Sequence, residues 1–135
     1  MPAYTFPASF DYLDEIRELV AETARAGGFS EKAIYSLQLA ADEAASNIIE
    51  HAYEGISNAS IYLTCDINGE EIVITMLDKG TPFDFSAVKE PNLTSDLSER
   101  QIGGLGVYLM RKLMDKVNYE TTRAGNLLTM TKRRV

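Results

Sequence analysis

Glu43, Asn47 and His51 stand at i, i+4 and i+8 of an amphipathic stretch. In an α-helix that spacing places all three along one face. A carboxylate and a carboxamide one turn apart suit hydroxyl activation beside magnesium: Glu accepts a proton, and Asn offers a hard oxygen ligand. A second feature is Asp78-Lys79-Gly80-Thr81-Pro82-Phe83-Asp84, directly after an apolar strand-like run. An acid at a strand end can accept a hydrogen bond from an exocyclic amine such as that of adenine. The glycine beside it lets a flat ligand approach the backbone. Third, Gly103-Gly104-Leu105-Gly106 opens an amphipathic segment. Glycines expose backbone N–H groups, and a helix N-terminus carries partial positive charge, so phosphate is a natural guest. Neither a Walker A loop nor a dinucleotide fingerprint is present, because no Gly-Lys-Ser/Thr follows and Leu109 stands where a third glycine belongs. Taken singly, the three features equally suit a solvated helix face, an Asp-led turn and a hinge before a helix.

The elements that must carry these residues follow from periodicity. Tyr4 to Phe6 reads as a short strand ended by Pro7. Ser9 is positioned to cap a helix running to about Ala26, with Leu13, Ile16, Leu19, Val20 and Ala24 on its apolar stripe. Gly27-Gly28 stops it. Ser30 caps a second helix to about Ala52, with Ile34, Leu37, Ala41, Ala44, Ala45, Ile48 and Ile49 on its apolar stripe. Ser60–Asp66 and Glu71–Leu77 alternate as strands, joined at the hairpin dipeptide Asn68-Gly69. Residues 79–103 lack a sustained period, which in a compact domain marks a functional or mobile loop, here a candidate lid. A third helix is expected from Leu105 to about Asp115, followed by strands Val117–Thr122 and Leu127–Lys132 about a turn at Ala124-Gly125-Asn126. Helices gathered early and hairpins late imply an α+β two-layer sandwich: a mixed, mostly antiparallel sheet with about three helices on one face.

Composition bounds the function. The 135 residues suit one domain, and 45% apolar with 24% charged residues is ordinary for a globular protein. The net charge of −7 argues against a general nucleic-acid or membrane-surface binder. Residues 1–54 carry ten acids and three bases, so the whole excess lies in that part. Cys65 is the only cysteine and His51 the only histidine, which excludes an intrachain disulfide and a zinc site built on such ligands in one chain. No signal peptide or membrane-length apolar run is visible, and a cytoplasmic location is expected.

The order of the three features is more specific than any one of them. A helix with Glu and Asn, a strand ending in Asp-x-Gly, a long loop and Gly-x-Gly at a helix start resemble the ATP-binding domain shared by gyrase B, Hsp90, histidine kinases and MutL. Within that superfamily, Leu39–Tyr53, Asp78–Asp84 and Gly103–Leu109 closely resemble the anti-sigma-factor serine/threonine kinases of bacterial stress and sporulation control. The resemblance runs from Phe6 to the C-terminus and implies a histidine-kinase-like ATPase fold over residues 1–135. It implies ATP and Mg2+ as cofactors, Asn47 as the magnesium ligand and Glu43 as the base that activates a partner hydroxyl. Asp78 would bind the adenine amine, Gly80 and Thr81 line the base pocket, and Gly104, Leu105 and Gly106 cradle the phosphates. Arg100 would reach the terminal phosphate. Asn126, which follows Gly125 where the family often has Thr, would contact the base. The implied activity is phosphorylation of a small STAS-type anti-anti-sigma protein by a homodimer that also binds a sigma factor.

Two other readings stand beside it. A non-catalytic ATP/ADP-sensing module would need Asn47 but has less use for Glu43 as a base. A detached histidine-kinase catalytic domain is disfavoured, since the one histidine lies inside the nucleotide-site motif and no phosphoacceptor helix is seen.

Overall fold

The computed structural model describes residues 3–82 and 104–134, with side chains from Val107 in the latter stretch. Its sheet has five strands in the order β1-β2-β3-β5-β4: β1 (Ala3–Pro7), β2 (Ser60–Asn68), β3 (Glu71–Asp78), β4 (Lys116–Thr121) and β5 (Asn126–Arg133). All four pairings are antiparallel, a more uniform arrangement than the mixed sheet expected from the sequence. Helices α1 (Leu13–Ala26), α2 (Glu31–Asn47) and α3 (Gly104–Leu113) form the other layer.

Alternation decides which sheet face meets the helices. Ile61, Leu63 and Cys65 of β2, Ile72, Ile74 and Met76 of β3, and Leu128 and Met130 of β5 are buried. They pack with Ile16, Val20, Ala24, Ile34, Leu37, Ala41, Ala44, Val107 and Met110 of the helices in one core. The small alanines of α2 let that helix lie close to its neighbours. Cys65 belongs to this core: burial pushes its thiol up to about 11, beyond the opposing hydrogen bond from Thr23, with Asp66 adding to the rise. Such a thiol is inert.

Three local features differ from the expected ones. Ser9 accepts a hydrogen bond from the Asp11 N–H at 3.3 Å and so caps a 3-10 turn, Phe10–Tyr12, and α1 begins only at Leu13. Ser30 caps α2 as anticipated, accepting from the Ala33 N–H at 3.1 Å. That helix does not continue to Ala52 with one period, however. After Asn47 it widens into a single π turn, Ile48–Ala52, closed by the Tyr53 N–H on the Ile48 carbonyl at 3.0 Å. Finally, the β2–β3 hairpin closes on the pair Asn68 and Glu71, which makes Gly69-Glu70 the loop, one residue later than the dipeptide signal.

Candidate functional site

Two elements deliver the carboxylate and the carboxamide to one place. Asn47 is the last residue of α2 and Asp78 the last of β3. Both line a cleft between the layers, together with Ala44, Ile48, Ala52, Met110, Tyr119 and Leu128. The cleft is narrow, about 30 Å³, and its walls are mostly apolar. Its mix of apolar walls and a few polar groups is the lining that ligand sites use.

Asp78 is 2% exposed, and burying a carboxylate is costly unless donors surround it. The structure supplies them. Its Oδ1 accepts from the Gly80 N–H at 2.9 Å and from Asn126 Nδ2 at 2.8 Å. The same Nδ2 group donates to the Gly80 carbonyl at 3.0 Å, and the Thr121 hydroxyl donates to Asn126 Oδ1 at 3.2 Å. Asn126 is 2% exposed and sits opposite Asp78 in the β3–β5 ladder.

The π turn and Tyr53 fasten this segment to the helix layer. Tyr53 OH accepts from the Lys79 N–H at 2.7 Å and donates to the Ser60 carbonyl at 2.8 Å. The Thr81 N–H donates to the Ala52 carbonyl at 2.8 Å. Burial raises the Tyr53 phenol pKa, with smaller increments from Asp78 and Tyr62, and the Lys79 N–H works against them. The approach at Gly80 is close enough to require glycine: a Cβ would lie 2.2 Å from the Ala52 carbonyl oxygen. Gly125 meets the same demand from the other side, with φ +141° and a would-be Cβ 2.2 Å from the Asp78 carbonyl oxygen.

Glu43 lies one turn before Asn47 and is half-buried. Its pKa is raised, first by burial and then by the nearby charges of Asp42 and Glu50. Asp42 is paired with Arg17 of α1, which ties the acidic end of α2 to its neighbour. A carboxylate whose proton affinity is raised is better matched to accepting a proton near neutral pH. Thr81 has an exposed side chain, and its contact with the rest of the site is through its backbone. Gly104 begins α3, and Leu105 and Gly106 occupy its first turn. Arg100 and most of the candidate lid, residues 83–103, lie outside the described residues.

Among the described residues no cluster of three His, Cys, Asp or Glu side chains forms a metal cage. Asn47 offers one hard oxygen on the lining of the cleft.

Sequence reasoning missed the clamp. Tyr53 entered the sequence reading only as part of the family resemblance and Ala52 as the helix end, and only the glycine two residues after Asp78 hinted at a close neighbour.

Comparison with known proteins decides the family. The model of the histidine kinase-like ATPase domain matches residues 6–132. The chain belongs to that family. Serine-protein kinase RsbW of Bacillus subtilis is 32% identical over 133 residues, covering 93% of this chain and 81% of its own. Serine/threonine-protein kinase BtrW of Bordetella bronchiseptica is 35% identical over 97 residues, covering 72% of this chain and 68% of its own. These relatives put the chain among the anti-sigma-factor serine/threonine-protein kinases of the histidine kinase-like ATPase family. Among solved structures, the RsbU and RsbW domains of Rv1364c from Mycobacterium tuberculosis match with a TM-score of 0.63 at 16% identity, over 98% of this chain and 32% of that one. The catalytic domain of histidine kinase ThkA matches with a TM-score of 0.59 at 17% identity, over 99% of this chain and 97% of that one. Both likenesses speak to the fold, an α+β sandwich of helices on an antiparallel sheet.

Proposed function

We propose that this kinase-family chain, as one domain over residues 1–135, transfers the γ-phosphoryl group of ATP to a serine or threonine of a small STAS-type protein and also binds a sigma factor as a homodimer in the cytoplasm. The observation that carries the nucleotide part is the buried Asp78 carboxylate, held by two donors at the wall of an apolar cleft that it shares with Asn47. In this reading Asp78 accepts a hydrogen bond from the adenine amine, beside the backbone of Gly80 and Thr81. The apolar walls stack on the ring and exclude water from it.

At the phosphate end, the N–H groups of the α3 start at Gly104, Leu105 and Gly106 receive the anionic oxygens. Asn47 would hold Mg2+ through its carboxamide oxygen. That ion, when bound, supplies neutralisation of phosphate charge. Glu43 accepts the proton of the partner hydroxyl as it attacks, and its raised pKa suits that role. Arg100 is assigned to the terminal phosphate.

The test is incubation of the purified chain with labelled ATP, magnesium and a STAS-domain protein encoded by the same organism. Label on a serine or threonine of that protein is the expected result. Tight ATP binding with no transfer to any such protein would leave a nucleotide sensor in place of the kinase.

A further inference from the structure

Asn126 has the geometry of a positioning residue behind the adenine contact. The cleft is lined by Asp78 but not by Asn126, which borders a separate groove with Leu77, Lys79, Gly80 and Thr121 and reaches the carboxylate through its amide. Its hydrogen-bonding capacity is committed. Nδ2 donates to Asp78 Oδ1 at 2.8 Å and to the Gly80 carbonyl at 3.0 Å, and Oδ1 accepts from the Thr121 hydroxyl at 3.2 Å. The orientation of the amide is fixed by chemistry, because a carboxylate oxygen that already accepts from the Gly80 N–H and a backbone carbonyl face its NH2 end as acceptors.

We infer that Asn126 sets the nucleotide-base specificity of the site by locking the Asp78 carboxylate as an acceptor, and that it does so without touching the base. The inference rests on the adenine reading of Asp78 given above. A carboxylate on a single Cβ has two torsions to lose. Gly80 N–H and Asn126 Nδ2 both bind Oδ1, which fixes the plane of the group and assigns the other oxygen to the ligand. A fixed, acceptor-only oxygen gains from a purine that carries an amine there and gains nothing from one that carries hydrogen. Freed from Asn126, the carboxylate can rotate, and its discrimination falls. The Asn126 bond to the Gly80 carbonyl couples that orientation to the segment pinned under Ala52.

The experiment compares ADP with purine riboside 5′-diphosphate, which differs only in lacking the exocyclic amine, by calorimetry with magnesium present. The unsubstituted protein is expected to prefer ADP by about tenfold to a hundredfold, as for a hydrogen bond to a charged acceptor. Asn126→Ala is expected to reduce that preference to about threefold or less while the affinity for purine riboside diphosphate stays within about threefold. Asn126→Thr keeps one hydroxyl donor and is expected to fall between the two. A purely structural role would weaken both nucleotides alike and preserve the ratio, which overturns the proposal. If Asn126→Ala does not fold, Asn126→Thr and Thr121→Val, the latter at an exposed position, decide it: an unchanged ratio in both overturns it. An unsubstituted protein that binds both nucleotides equally would instead overturn the adenine reading of Asp78, and the role of Asn126 with it.

Discussion

At Glu43, partial burial and the carboxylates of Asp42 and Glu50 act in the same direction and raise the pKa above the ordinary 4.5. Two consequences follow. As pH falls through that raised value the base is protonated, so the acid limb of the transfer rate is expected to lie above the usual carboxylate range. Because the fold disfavours the ionised form, the stability linked to this group is lost as pH rises through its folded pKa. Glu43→Gln is therefore expected to leave the melting temperature at pH 7 unchanged or higher. The same substitution keeps shape and cannot take the proton, so phosphoryl transfer is expected to slow by about 10²–10⁴-fold with Mg-ATP affinity intact. Transfer at the unsubstituted rate would show Glu43 to be a solvated helix residue. Gly80 makes a second test at this scale. A Cβ there would be 2.2 Å from a backbone oxygen and 2.5 Å from the carbonyl carbon of Ala52, neither of which can swing aside. Gly80→Ala is expected to cost about 1–3 kcal/mol in urea denaturation and to weaken nucleotide binding. An unchanged denaturation midpoint would mean that the π turn yields.

The elements divide into those that periodicity could reveal and those that a third partner decides. The helices were legible because their apolar stripes and Ser30 cap are local, and the strands because each alternates against a single core. The hairpin register was not. Shifting the β2–β3 pairing by one residue on each strand buries the same residues, Ile61, Leu63, Cys65, Ile72, Ile74 and Met76, so alternation cannot choose between closing at Asn68 and one pair earlier. The π turn was equally invisible, since nothing in Ile48-Ile49-Glu50-His51-Ala52 breaks a helical pattern. Its purpose appears only beside β3: the wider turn presents the Ala52 carbonyl to the Thr81 N–H and the Tyr53 hydroxyl to the Lys79 N–H. For the site, the order of the motifs brought Glu43, Asn47, Asp78 and Gly80 to notice, whereas the clamp that holds them depends on contacts between distant segments. Tyr53→Phe tests that clamp. It leaves the Lys79 N–H and the Ser60 carbonyl without their partner and is expected to cost about 1–3 kcal/mol in denaturant unfolding. A loss within about 0.5 kcal/mol, the range of ordinary surface substitutions, would mean that water replaces the hydroxyl without penalty.

For the molecule as a whole, the cleft is a joint between the two layers. Asn47 and Met110 come from the helices, and Asp78, Tyr119 and Leu128 from the sheet. A guest that touches all of them binds the assembled sandwich and not the unfolded chain, so binding appears as stability. At a nucleotide concentration a hundred times its dissociation constant the gain is about 2.7 kcal/mol, or roughly 10 °C in melting temperature for a domain of this size. Mg-ADP is accordingly expected to raise the midpoint by that amount, and removing magnesium to reduce the rise. Asn47→Ala takes away the hard oxygen while leaving the apolar walls and Asp78. Its melting curve is expected to respond weakly to ADP and to respond alike with and without magnesium, because base stacking survives and the metal link does not. Glu43→Gln, one turn earlier on the same helix, is expected to keep the full magnesium-dependent rise. The pair of variants thus separates holding the nucleotide from reacting with it, in a measurement that needs no partner protein. An Asn47→Ala variant with the full magnesium-dependent rise would remove Asn47 from the metal site and require another oxygen donor at the cleft.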